Sequence, residues 1–400
     1  MKRTLIWIAA LIAGSVLGVL GIEWLDAAME FIATVYTRLF QLLAVPTIVL
    51  AVITTFASFG TKGSGRIFGH TLTYTLITTF AAAVVGALLY MIIAPGNLPL
   101  DAVSGQEQAA AVGSGLSYSE HIISIIPNNL VKPFLEGNVL SLLILAFAIG
   151  IALSHLPESD NKTVLLKGVM GLQELLFKLI SGLIRTLPLG IVAFSAQLAA
   201  QLSAGVVASS IGKYVLVVLG GNFIQFFIVL PLLLLVKGLN PIHVLSRMMP
   251  AVLMALFTKS SAATLPVTLD SAQNRLGINS RIANFVLPIC TTINMNGCAA
   301  FILVTSLFVM QNGGIAITTG TIVLWILISV ISAVGNAGVP MGCYFLTLSL
   351  MSGIGAPIAI LGIILPIYAI IDMVETAENV WSDSCVCAIV NSSWASRQQP

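Results

Sequence analysis

The sequence predicts an all-α protein that crosses a lipid bilayer repeatedly, and three observations carry that prediction. Only 8% of the 400 residues are charged, against roughly 25% in soluble globular proteins. Hydrophobic residues make up 58%, and the mean hydropathy is +1.04. Apolar runs long enough to span a membrane as helices recur along the chain. The 17 basic and 15 acidic side chains leave a net charge of +2 with no block of like charge, which excludes a nucleic-acid surface or a charged tail.

Lys2 and Arg3 precede an apolar run from Thr4 to Ile22, long enough to span roughly 30 Å of hydrocarbon and too long for a secretory signal core. No small-x-small cleavage site follows, so the segment reads as an uncleaved first helix. Basic residues set orientation, and Lys2, Arg3, Lys62 and Arg66 predict a cytoplasmic N-terminus. Further spans read from Phe40 to Phe56, Phe68 to Ile93, Leu140 to Leu156, Leu165 to Ala204 and Tyr214 to Val236. The stretch from Ala94 to Pro133 is rich in Gly, Ser, Pro, Gln and Asn and carries Asp101, Glu107 and Glu120. It reads as an extracytoplasmic loop ending in a re-entering segment.

From about Ser246 the pattern changes. Apolar stretches are interrupted at membrane depth by Lys259-Ser260-Ser261 with Pro266, by Asn294-Met295-Asn296-Gly297, by Gly335 through Pro340, and by Asp372 through Asp383. Irregular backbone at that depth survives only where protein or a water-filled cavity satisfies its amides, so the interruptions imply a shared internal site. They also repeat. A polar-tipped stretch (Ser246 to Asp270) precedes a span with a broken centre (Arg281 to Met310), and a second one (Thr318 to Leu350) precedes a span with a polar stripe (Ile354 to Ile389). Single Gly and Pro residues are common in membrane helices. Paired interrupted segments in two halves point to a transporter binding site near the midplane.

The last span carries the densest chemistry. At about 100° per residue from Asp372, Glu375 falls near 300°, Thr376 near 40°, Asn379 near 340° and Asp383 near 20°, one polar stripe. Each carboxylate at a helix centre costs about 3 kcal/mol on insertion scales, so the stripe needs cations, donors or water opposite it. Asp372 and Asp383 therefore read as ligand- or ion-binding. Glu378, near 240°, reads as part of a partner-satisfied structural network. Cys290, Cys298, Cys343, Cys385 and Cys387 lie in apolar context and read as small core residues; Cys385 and Cys387, two apart, make a poor zinc clip.

These residues resemble the dicarboxylate/amino acid:cation symporter family, the sodium-coupled glutamate and neutral amino acid transporters, over nearly the whole chain. Pro127-Asn128-Asn129-Leu130 through Gly150 is similar to the family's fourth span, and Thr258 to Pro266 to its first hairpin tip. Thr292 to Gly297 resembles its Asn-Met-Asp-Gly-Thr motif, Gly338-Val339-Pro340 its second hairpin tip, and Asp372 to Asp383 its eighth helix.

The resemblance implies eight transmembrane helices plus two re-entrant hairpins in inverted repeats. It implies an elevator-type homotrimer in a prokaryotic inner membrane. Residues 1–57 and 134–205 would form the scaffold, 68–95 and 210–391 the transport domain, the latter including two broken helices, and 96–133 the loop. Substrate would bind among Ser260, Ser261, Cys298, Gly338, Val339, Pro340, Asp372, Glu375, Thr376 and Asn379. Asp372 would take the α-ammonium and Asn379 the α-carboxylate, with the hairpin around Gly338 as the gate. Co-transported sodium would be held by Asp383 with oxygens near Cys290, Asn294 and Asn379. A weakened second site would involve Thr78, Thr79 and Asn296. No organic cofactor is implied.

The departures from the family pattern are specific. Acidic-substrate members carry Arg where this chain has Glu375, Thr where it has Cys298, and Asp where it has Asn296. A guanidinium is the natural partner of a substrate carboxylate and a glutamate repels it, so the expected substrates are serine, threonine, alanine or similar zwitterions. Glu375 is expected to receive a substrate hydroxyl, pair with a cationic side chain, or be locked to Lys259. The alternative is an acidic amino acid or dicarboxylate symporter coupled to sodium or protons. A passive channel is a further possibility that a concentrative uptake assay separates. An enzyme is not expected: Ser260 and Ser261 adjoin Lys259, but no Gly-x-Ser-x-Gly elbow occurs, and His70, His121, His155 and His243 are scattered.

Overall fold

A computed structural model describes residues 2–57, 65–98, 126–136, 139–202, 206–334, 336 and 341–395. All regular elements among them are helical. Helix α1 (Lys2–Val19) is followed by α2 (Glu23–Ala57), α3 (Gly65–Ile93), the short α4 (Lys132–Glu136), α5 (Val139–His155) and α6 (Asp160–Leu202). Helix α7 (Val206–Ile224) continues through a π-helical turn, Gln225–Val229, into α8 (Leu230–Val236). Then come α9 (Pro241–Thr258), α10 (Ser261–Asp270) with a π-helical turn at Ser271–Arg275, α11 (Ser280–Ile293), α12 (Asn296–Asn312), α13 (Thr319–Val334), α14 (Gly342–Gly353) and α15 (Ala359–Ala395). Five helical runs among the described residues are long and apolar enough to cross a membrane: Ile67–Ile93, Ser209–Val236, Pro241–Thr258, Ser280–Asn312 and Ala359–Trp394.

The interruptions have local causes. Asn240 caps α9, its side chain accepting from the backbone of Ile242 and His243, with Pro241 in the first turn. At the other end Lys259 is left-handed, at φ 54°, and Ser260 is extended and accepts from Ala263 N to cap α10. The chain thus reverses within two residues, and the Thr258 and Thr264 hydroxyls meet at 2.9 Å across the tip. Asn279 caps α11, and Asn294 leaves the helix at φ −97°, ψ 70° before α12 restarts. Helices α13 and α14 flank the second tip; Met341, at φ 64°, opens α14.

One expected interruption is absent. Asp372 through Asp383 lies within the continuous helix α15, because the segment contains neither Gly nor Pro and its polarity is confined to side chains. Only one of the two expected broken helices is therefore broken. Much of the expected loop 96–133 lies outside the described residues, as do Lys62 and His121.

Helix α6 packs on α1 and α2, and α2 on α5. Helices α3 and α7 pack on α12 and α15, α9 packs on α10 and α15, and α14 touches α2 and α5. Helix α12 is buried from Asn296 to Met310; it is apolar on all sides, as a helix surrounded by others must be.

Candidate functional site

The first hairpin tip, the break after α11, the start of α14 and the middle of α15 converge. They enclose a narrow cavity lined by Lys259, Ser261, Met295, Cys298, Asn336, Cys343, Asp372, Glu375, Thr376 and Asn379. Two carboxylates and one ammonium line it, with no arginine.

Asp372 is buried and takes two bonds: Met341 N donates to Oδ2 at 3.2 Å, and the Tyr368 hydroxyl lies 3.4 Å from Oδ1. The same hydroxyl lies 3.2 Å from Glu375 Oε2, so its single proton serves one carboxylate at a time. Glu375 Oε1 has no protein partner. Lys259 Nζ donates to the Ala369 carbonyl at 2.6 Å and is close enough to Asp372 to interact electrostatically. Lys259 thereby holds the α15 backbone three residues before Asp372. Thr376 bonds back to the Asp372 carbonyl, and Asn379 Oδ1 accepts from Gly297 N at 3.0 Å, leaving its amide hydrogens toward Cys298 and the cavity.

Cys298 and Cys343 are joined as a disulfide, with Cα atoms 5.3 Å apart, which corrects the reading of these two as unpaired small core residues. A sequence separation of 45 hid the pairing, since only the return of α14 onto α12 brings the two together. Asn336 Nδ2 lies 2.9 Å from one sulfur and 3.2 Å from the other, and Glu375 lies within 4.8 Å of both. A Cβ on Gly342 would collide with Asn336 Oδ1, which is why glycine opens α14 there. Cys290, Cys385 and Cys387 are free and buried, as expected.

Beside the cavity lies a second polar cluster. Thr78 donates to Asn294 Oδ1 at 3.0 Å and Thr79 to Asn296 Oδ1 at 2.9 Å. Asn294 Nδ2 reaches Asp383 Oδ1 and Ser382 Oγ, both at 2.9 Å, and Asn296 Nδ2 reaches Ser382 Oγ at 2.6 Å. The Cys290 carbonyl accepts from Asn294 N at 2.8 Å and keeps a second lone pair. Carboxylate, amide and carbonyl oxygens are the donor set that a hard cation takes.

Of the residues read from the sequence, Ser261, Cys298, Asp372, Glu375, Thr376 and Asn379 line the cavity. Ser260 does not; its hydroxyl caps α10. Gly338, Val339 and Pro340 lie outside the described residues. Glu378 is not in a satisfied network, since both of its carboxylate oxygens are buried without a partner. The sequence reading did not assign Tyr368, Asn336, Cys343 or Ser382 to the site. Tyr368 was findable, since it falls near 320° on the α15 wheel, within the polar stripe.

A helical membrane protein with a polar cavity between a hairpin tip, a broken helix and the middle of a long polar-striped helix has the arrangement of a secondary transporter. The chain is a member of the sodium:dicarboxylate symporter family, which its residues 4–393 match. It is 28% identical to Excitatory amino acid transporter 2 of Mus musculus, over 90% of this chain and 73% of that one. It is equally similar, at 28%, to Neutral amino acid transporter B(0) of Oryctolagus cuniculus (89% and 72% covered) and to the L-cystine uptake protein TcyP of Bacillus cereus (90% and 80% covered).

Proposed function

We propose that this protein is a sodium-coupled symporter of small neutral amino acids of the serine, threonine or alanine type. It works as a homotrimer by elevator alternating access. The observation that carries the substrate class is Glu375, which faces the cavity with an unpartnered oxygen where a carboxylate-binding site would need a guanidinium. In this reading Asp372 takes the α-ammonium. The α-carboxylate meets the start of α10 at Ser261 and the side-chain amide of Asn379, since backbone N–H groups at a helix start favour an anion. A substrate hydroxyl donates to Glu375 Oε1. The bond from Met341 N to Asp372 ties the second hairpin to the ammonium site, so that residues 338–340 gate it.

Sodium is assigned to Asp383 with oxygens of Cys290, Asn294 and Asn379. The Thr78–Thr79–Asn296 position is weak, because Asn296 already spends its amide on Ser382 and carries no charge. Helices α1, α2, α5 and α6 are assigned to the scaffold, and α3 with α7 to α15 to the moving part. Lys259 in the cavity lining supports one second reading, an acidic amino acid or dicarboxylate as substrate.

Uptake of a panel of amino acids into proteoliposomes, with and without a sodium gradient, separates the two readings. Sodium-driven concentration of serine, threonine or alanine is the expected result, and Glu375→Arg should lose that substrate and gain aspartate or glutamate binding. Micromolar concentrative uptake of aspartate or glutamate by the unaltered protein would make the second reading correct.

A further inference from the structure

On the side of α15 turned from the cavity lining, four acceptor oxygens are buried with no hydrogen-bond partner. They are both oxygens of Glu378, Oδ1 of Asn222 and Oε1 of Gln225. The three side chains are 0%, 1% and 0% exposed, and Glu378 does not line the amino acid cavity.

Contacts on either side bracket Glu378 against the other two. Asn222 Oδ1 and Glu375 Cα both lie within 2.9 Å of the point where a Cβ on Gly297 would sit, so α7 meets α15 at Glu375. Two turns further along, Trp381 Nε1 donates to the Phe226 carbonyl at 3.1 Å, and the two rings lie 6.0 Å apart. Glu378 is midway between Glu375 and Trp381 along α15 and, at about 60° steps, between them in direction. Asn222 and Gln225 span the matching interval on α7. One helical turn past Glu378, Ser382 meets Asn294 and Asn296, which closes the third wall.

Both amides are fixed in orientation. Asn222 Nδ2 donates to the Val218 carbonyl at 2.7 Å and Gln225 Nε2 to the Thr78 carbonyl at 3.0 Å. A carbonyl cannot accept from an amide oxygen, so neither side chain can exchange its oxygen for its nitrogen without losing that bond. The ionisable side chains along this part of α15 are Asp372, Glu375, Glu378 and Asp383, all acidic. Acceptors facing acceptors at membrane depth are left unsatisfied unless a cation or a proton lies between them. Gln225 is also the first residue of a π-helical turn, a distortion that recurs at functional sites and changes the angle at which side chains leave the helix.

We infer that Glu378, Gln225 and Asn222 form a binding site for a monovalent hard cation, sodium, separate from the Asp383 position. Carboxylate and amide oxygens are the ligands such an ion takes, and one unit of charge neutralises Glu378. The inference rests on the sodium coupling of the proposed function but not on which amino acid is carried.

Equilibrium binding of radioactive sodium to the purified full-length protein, without amino acid, tests it. Glu378→Gln should bind one sodium fewer per protomer than the unaltered protein, and Gln225→Leu should weaken that ion at least about tenfold. Asp383→Asn should lose a different ion, and the Glu378→Gln, Asp383→Asn double variant should lose both. Should Glu378→Gln fail to fold, Gln225→Leu and Asn222→Leu carry the test. The site is overturned if the Glu378 variant, or both amide variants where it does not fold, bind sodium as the unaltered protein does while Asp383→Asn does not; the coupling reading then stands. No sodium binding by the unaltered protein overturns both.

Discussion

Asp372 sits where three constraints meet: the backbone of the second hairpin, the Tyr368 hydroxyl and the cavity. If it takes the α-ammonium, Asp372→Asn leaves a buried cation opposite a neutral amide. Breaking such a pair costs about 3–5 kcal/mol, more than a hundredfold in affinity. Isothermal titration of the purified variant should show no amino acid binding while the oligomer still assembles; near-normal affinity would remove Asp372 from the site. The sequence exposed Asp372 and Glu375 because acids are rare and costly in an apolar helix. It did not expose Tyr368, since an aromatic residue in such a helix looks the same whether it packs or donates. Glu378 was misjudged for a related reason: a helical wheel reports direction but not what stands opposite, and both carboxylate oxygens of Glu378 are buried with no hydrogen-bond partner.

At the scale of elements, the start of α12 is held from three sides. A Cβ on Gly297 would come within 2.8 Å of Asn222 Oδ1 and 2.9 Å of Glu375 Cα, so α7 or α15 would have to move. Overpacking of this kind costs about 1–3 kcal/mol, and Gly297→Ala should lower the thermal unfolding midpoint and weaken substrate binding together. A stable variant with unchanged binding would show that the three helices do not meet as described. The link between α12 and α14 has its own readout. Alkylation of the denatured, unreduced protein should label three thiols, and after reduction five. Five labels without reduction would mean that Cys298 and Cys343 are not joined.

For the whole molecule the question is coupling. Transport through a cycle of domain movement needs ions that bind more tightly in one state than another, and the charge available to hold them sets how many are coupled. Asp383→Ala should abolish the sodium dependence of uptake. Asn296→Asp, which places a carboxylate between Thr79 and Ser382, should make that dependence steeper. An unchanged Hill slope in the second variant, or surviving sodium dependence in the first, would count against the assignment.

What the sequence alone determined here is everything carried by local order: the membrane class from hydropathy, the two-half pattern from the spacing of interruptions, and the polar stripe of α15 from its periodicity. The resemblance to a transporter family followed from short motifs of the same local kind, and the match over residues 4–393 bears it out. Tertiary structure decided which groups share a partner. It joined Cys298 to Cys343, turned Ser260 into a cap, put Lys259 on the Ala369 carbonyl and left Glu378 buried without a hydrogen-bond partner. It also kept α15 continuous through twelve residues dense in polar side chains, because its backbone bonds close within the helix whatever those side chains carry. Burial and hydrogen-bond pairing depend on residues far apart in the chain, and no window along the sequence contains both partners.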